Sequence, residues 1–266
     1  MDEKEMYVAI SGRVGLPLNF VVKEFHVFRI LGQIGGRISK GNYPCVFKGG
    51  TALNKIYLGQ KQRFSEDLDF NDYEDAGDAE RIGRLEGLVE GIEGYEAGRT
   101  FRLGNTIRTE MYYSTPWGQK DNVRLEFNLK DPKKEYRTTI ETASSVVCGA
   151  MVGGLVTYPL EDLVAQKMNA MLERVEGKDV YDVYHAMALV KGMRRSIEWI
   201  AKTEREMGGE EFIQKVVERL NAFHPKKMEK LTNPYILVEN RPKNWEENTR
   251  TLVELIKNKC RKEEGV

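Results

Sequence analysis

The chain has 266 residues, 41 Lys and Arg against 41 Asp and Glu, and 41% hydrophobic residues. That length holds one large domain or two ordinary ones; the composition argues against a disordered chain, and the zero formal charge against a protein that coats nucleic acid through bulk positive charge. Cys45, Cys148 and Cys260 are few, odd in number and far apart, and His26, His185 and His224 are isolated. Neither a disulfide framework nor a thiolate zinc site is suggested, so any metal would sit on oxygen ligands. No apolar run approaches the roughly 20 residues that span a bilayer. The acidic start "MDEKEMYVAI" lacks the basic and apolar regions of a secretory signal, so the expected compartment is the cytoplasm, with no membrane partner. Residues 191–266 carry 17 Lys and Arg against 13 Glu and no Asp, a modest local basic bias.

From Leu18 to Ile34 apolar residues recur at near-helical spacing, and Gly35 and Gly36 predict the helix stop. "CVFKG" is β-prone, and "TALNKIYLG" predicts a short helix with Thr51 in a capping position. "SEDLDF" alternates polar and apolar residues with period two, as a half-buried strand does. Residues 78–92 read as helix. "TIRTEMYYS" and "NVRLEFNL" read as strands joined by a turn containing Pro116 and Gly118. The glycine-rich "CGAMVGGLVTYP" predicts a division near residue 155, giving domains 1–155 and 156–266. Beyond it "PLEDLVAQKMNAMLERV", "KDVYDVYHAMALV" and segments near 195–206, 210–222 and 245–262 read as helices, with "NAFHP" and "LTNPYILVENRP" as breaks. The expectation is a mixed α/β half followed by a helical half, an α+β fold.

Asp67 and Asp69 lie two apart on a predicted strand, so both leave one face while Leu68 and Phe70 take the other. Paired carboxylates repel, and an oxygen-only pair suits Mg²⁺ or Mn²⁺ between them. Taken alone, an Asp-x-Asp pair is more often a solvated surface strand. The preceding Gly49 and Gly50 alter that weighing, because glycines at a strand-to-helix turn let backbone N–H groups approach a phosphate. Thr51 adds a hydroxyl, for the phosphate or as a helix cap. The turn matches neither the Walker A pattern nor the dinucleotide Gly-x-Gly-x-x-Gly pattern.

"FKGGTALNKIY" followed by "RFSEDLDF" resembles the first motif of the DNA polymerase β-type nucleotidyltransferases, and within them the AbiEii/AbiGii toxin family that includes the MenT toxins. The resemblance spans residues from about 15 to 190. It implies a polymerase β-like core with a C-terminal helical domain, and an enzyme that moves a nucleoside monophosphate from an NTP to a hydroxyl, releasing pyrophosphate. Asp67 and Asp69 then hold Mg²⁺ or Mn²⁺. A third carboxylate comes from a later strand; Glu126 is the candidate, Glu110 the competing choice, and an exposed cross-strand partner of a basic residue the bland reading of Glu126. Gly49, Gly50, Thr51, Arg63, Ser65 and Lys178 are implied for nucleotide binding. Lys167 and Asp182 are implied for catalysis, with Arg174 two helical turns from Lys167 on the same face. A lysine in an apolar stripe should meet an anion, whereas Asp179, in a first helical turn, could simply be stabilised there by the dipole. Tyr181 and Tyr184 read as packing.

The acceptor implied is RNA, with the 3′ end of a tRNA as the candidate, and the biological role a toxin paired with an antitoxin. A non-catalytic nucleotide-binding regulatory module, transfer to a protein or small-molecule hydroxyl, and a metal-dependent glycosyltransferase are the competing readings. The complete acid set disfavours the first of these, and the Gly-Gly-Thr turn is not what the last requires.

Overall fold

A computed structural model describes residues 2–260, which divide into two compact units. The first runs to Tyr158 and takes in Leu237–Glu239; the second comprises Pro159–Ile236 and resumes at Asn240. No helix among the described residues is long and apolar enough to cross a membrane.

The first unit contains α1 (Glu3–Val14), α2 (Leu18–Gly41), β1 (Cys45–Lys48), α3 (Gly49–Ala52), β2 (Asp67–Asp72), α4 (Asp78–Val89), β3 (Glu96–Ala97), β4 (Phe101–Leu103), β5 (Thr106–Ser114), β6 (Lys120–Leu129), β7 (Thr139–Ser144) and β8 (Met151–Thr157). Among the described residues the strands form one mixed sheet in the order β3-β5-β6-β2-β1-β8-β7, with β4 also on β5. The pairs β1–β8 and β2–β6 are parallel and the remainder antiparallel. Strands β5 and β6 alternate strictly: Ile107, Thr109, Met111, Val123, Leu125 and Phe127 are buried, while Arg108, Glu110, Arg124 and Glu126 between them stay half-exposed. That period of two directs one face to the core and leaves the other for charge. Phe70 stacks on Phe127 and lies 5.2 Å from Phe47, so the core face of the central strands is an aromatic row.

Three expectations change here. The long helix α2 does not stop at Gly35 and Gly36 but continues to Gly41, where Asn42 takes the left-handed cap with φ 49°. Gly35 serves packing instead, since a Cβ there would lie 2.8 Å from Leu155 Cδ2 on β8. The glycine-rich segment around residue 155 contains β8, an interior strand between β1 and β7. Its apolar residues outweigh its glycines, and Gly154 takes φ +73° close to a register shift against β7. Helix α1, absent from the periodicity reading, is set by a capping box between Asp2 and Glu5.

The second unit is helical: α5 (Leu160–Glu173), α6 (Gly177–Leu189), α7 (Arg194–Arg205), α8 (Gly209–Asn221), α9 (Pro225–Thr232) and α10 (Trp245–Cys260). All but α9 pack an apolar stripe inward, as Ile197, Ile200, Phe212, Val216, Leu252 and Ile256 do; α9 buries Thr232. Arg174 closes α5 in an extended conformation, pairs with Glu176 and is exposed, so it shares no helical face with Lys167.

Candidate active site

The half-exposed sheet face gathers the predicted acids. Across it Lys48, Asp69, Glu126 and Arg108 form one row, from β1 through β2 and β6 to β5, each opposite the next in register. The next row is Asp67, Arg124 and Glu110. Glu126 is therefore the lateral neighbour of Asp69, whereas Glu110 lies one strand further out and accepts a hydrogen bond from the Tyr112 hydroxyl. Opposite residues on neighbouring strands bring their side chains within about 5.5 Å, so Asp69 and Glu126 confront one another as like charges.

Cations bracket the acids. Arg108 Nη2 lies 2.6 Å from Glu126 Oε1, and Arg124 Nη1 lies 3.6 Å from Asp67 Oδ1. Among the described residues no three His, Cys, Asp or Glu side chains converge closely enough to hold a metal ion. The donor set is nonetheless of the right kind: all oxygen, half-exposed, and on one face. Asp67 and Asp69 fit a hard divalent cation, and Glu126 fits once its carboxylate leaves Arg108.

Gly49 is indispensable to this arrangement. The chain turns from β1 into α3 there with φ +77°, and a Cβ would collide with the Asp69 carboxylate, whose own Cβ and Cγ would stand at 2.9 Å. The helical segment starts at Gly49 with Lys48 as its cap, three residues before Thr51, the expected cap, and passes into a π-helical turn over Leu53–Tyr57. Thr51 is fully buried; its hydroxyl donates to the Asp67 carbonyl and lies 2.9 Å from the Ser65 hydroxyl. It clamps the helix to the strand that carries the acids.

Beneath that segment lies a polar cluster that sequence reasoning missed. The fully buried Lys55 ammonium reaches Glu24 Oε1 on α2 at 2.6 Å, Gln62 Oε1 at 3.2 Å and the Arg63 carbonyl at 3.1 Å. Three donors thus meet three acceptors. Asn54 Oδ1 accepts from the Arg63 N–H, and the Arg63 guanidinium donates to the Phe64 carbonyl. Arg63 is only 3% exposed, so it braces the loop into β2 rather than standing open to solvent. A lysine inside the apolar "TALNKIYL" run was the one available signal.

In the second unit, Lys167 on α5 binds Asp179 at 2.7 Å and Asp182 at 3.2 Å, both carboxylates being buried. Asp179 is thus a partner of Lys167, and Glu176 occupies the cap of α6. Lys178 lies 4.6 Å from the centroid of the Tyr235 ring. Tyr181 is buried against His185, a packing role. Burial also pushes the Cys45 thiol up to about 12, which removes it as a nucleophile.

This geometry meets the comparisons with known proteins. Residues 37–254 match the family described as "Nucleotidyl transferase AbiEii toxin, Type IV TA system". The chain belongs to the AbiEii nucleotidyltransferase toxin family. It is similar in fold to MenT4, a nucleotidyltransferase toxin from Mycobacterium tuberculosis H37Rv, with a TM-score of 0.65 and 18% identity over 96% of this chain and 94% of that one. It is also similar to JHP933 from Helicobacter pylori, with a TM-score of 0.52 and 20% identity over 92% and 93% of the two chains. No curated protein matches. Membership of the AbiEii family makes the chain a nucleotidyltransferase enzyme of the toxin–antitoxin class.

Proposed function

We propose that this AbiEii enzyme transfers a nucleoside monophosphate from an NTP to a hydroxyl of RNA, the 3′ end of a tRNA first among the candidates, in the cytoplasm, and that a dedicated antitoxin restrains it. The observation that carries this reading is the row that sets Glu126 beside Asp69, with Asp67 on the same half-exposed face and Gly49 turning over Asp69. The basic bias of residues 191–266 supports an RNA acceptor, and its signature would be acceptor binding that weakens steeply with salt.

Asp67, Asp69 and Glu126 would hold Mg²⁺, with Mn²⁺ as a substitute. Such ions supply charge neutralisation on the transferring phosphoryl group and on the attacking and leaving oxygens. The chain's own contribution is position. The first backbone N–H groups of the helical segment at Gly49 and Gly50 have no partner within the helix and face an anion favourably. Thr51, Ser65 and Arg63 keep that turn on β2, while Lys48 adds positive charge beside Asp69. Glu126, once released from Arg108, would accept the acceptor hydroxyl's proton. Lys167, Asp182 and Lys178 belong to the second unit, where Lys167 is bound by Asp179 and Asp182.

The test is direct: purified protein, each labelled NTP, Mg²⁺ or Mn²⁺, and total RNA. Label should appear on RNA, vanish with Asp69→Ala and persist with Thr115→Ala. Label on protein or on a small hydroxyl acceptor instead would replace the RNA assignment, and NTP binding with no transfer to any acceptor would establish the regulatory-module reading.

A further inference from the structure

Two guanidinium groups on the acid-bearing face have hydrogen-bonding capacity left over. Arg108 spends Nη2 on Glu126, and Arg124 directs Nη1 towards Asp67, yet the buried Nε of each lacks a hydrogen-bond partner. An unmade hydrogen bond from a buried donor is costly, and on a charged group more so. Both side chains retain access to solvent, 29% for Arg108 and 40% for Arg124. Arg63, implied by the resemblance for nucleotide binding, and Lys167, implied for catalysis, are otherwise engaged: one is buried against backbone carbonyl oxygen, the other is bound by two buried carboxylates. The face still requires cations for a polyphosphate, and the planar fork of arginine matches phosphate oxygens.

The row Lys48–Asp69–Glu126–Arg108 suggests how Arg108 serves both needs. Side by side, Asp69 and Glu126 repel, and with no metal Arg108 relieves that repulsion through its 2.6 Å contact. With a divalent cation bound, Glu126 has a stronger partner and Arg108 loses its own. We propose that Arg108 is a nucleotide phosphate-binding residue under metal control: it holds Glu126 in the metal-free protein and, once Glu126 turns to the cation, presents its guanidinium to the polyphosphate of the NTP. Arg124, in the neighbouring row, completes the anion site. The proposal rests on the assignment of this sheet face to NTP and divalent metal.

It makes predictions of opposite sign for one substitution. In Arg108→Gln, Glu126 is already free, so Mn²⁺ followed by electron paramagnetic resonance without nucleotide should bind at least about threefold more tightly than in the unaltered protein. Inorganic tripolyphosphate with Mg²⁺, followed by calorimetry, should bind at least about tenfold more weakly, the loss of one charged hydrogen-bonding contact. Arg108→Lys should recover part of the tripolyphosphate affinity. Glu126→Gln releases Arg108 from the other side and should raise tripolyphosphate affinity in the absence of metal. A merely structural Arg108 would weaken both ligands together; that result, or no change in either, overturns the proposal, and the Glu126→Gln measurement decides if Arg108→Gln fails to fold. These are binding readouts, so a protein that shows them yet labels no acceptor refutes the transfer reading and leaves Arg108 assigned, while transfer with an insensitive Arg108 does the reverse.

Discussion

On the sheet, Asp67, Asp69 and Glu126 keep their carboxylates half-exposed and share their face with arginines of moderate exposure, whereas between α5 and α6 Asp179 and Asp182 are 1% and 0% exposed around a single lysine. The two clusters carry the same chemistry in different dielectric surroundings. Half-exposed charges remain solvated at modest cost and stay available to a ligand. Buried ones must satisfy each other, because removing one partner strands the rest. The Glu24–Lys55 pair behind the Gly49 turn belongs to the second kind, although it lies in the same unit as the sheet face. Location within the first unit therefore does not by itself open a charge to a ligand; what separates the groups is whether solvent can reach them.

Substitutions can break this contrast, and the largest effect is expected on the sheet. Asp69→Asn should reduce nucleotide transfer by about a thousandfold or more, the several kcal/mol a metal-held phosphoryl group loses with a ligand. Its thermal unfolding should stay level or rise, since one of two confronting carboxylates is gone. A melting temperature that fell along with activity would mean that the face is structural. Lys167→Met should do the opposite in kind. It leaves two buried carboxylates without their cation and should cost about 3–5 kcal/mol in denaturant unfolding. Lys55→Met should cost a similar amount by stranding Glu24, which already has one unpartnered oxygen. If either lysine variant unfolds like the parent protein, the buried clusters are not what holds these helices.

Gly49→Ala sharpens the comparison from the backbone side. Its φ of +77° and the collision with Asp69 should cost about 1–3 kcal/mol of stability and displace the Asp69 carboxylate, so both unfolding and transfer should suffer. The smallest effect is a pH dependence. His26 is stacked on Tyr113 and hydrogen-bonded to Tyr95, and burial lowers its pKa to about 4. The unfolded chain takes up a proton near pH 6.5 that the folded chain refuses until about 4. Stability should therefore fall as pH drops through that window, with a slope no steeper than about 1.4 kcal/mol per pH unit from this group. In His26→Phe the slope between pH 6.5 and 4 should flatten by that amount; an unchanged slope would place the sensitivity elsewhere.

Much of the site could be read from residue patterns. Period-two alternation put Asp67 and Asp69 on one face, and it separated Arg124 and Glu126 from Leu125 and Phe127, because the pleat follows from covalent geometry. Helices α5, α6 and α10 were visible as apolar stripes for a similar local reason. Segments β3, β4 and β7 were not, being short or lacking clean alternation; nor was β8, whose glycines resemble a linker until a partner strand lies beside them. Gly35 failed as a stop signal because a close approach by Leu155 gives the glycine another purpose.

The sequence by itself thus determined the toxin-family motif, the pairing of two acids with a glycine turn, and the change from mixed to helical structure, all of which depend on neighbours a few residues apart. Only the tertiary structure decided that Glu126 rather than Glu110 stands beside Asp69, that Arg63 and Thr51 face inward, that Lys167 closes on Asp179 as well as Asp182, and that Arg108 reaches Glu126. Those facts depend on strand order and register between segments up to tens of residues apart. Register is set by which faces can be buried together, a property of the assembled core and not of any one strand.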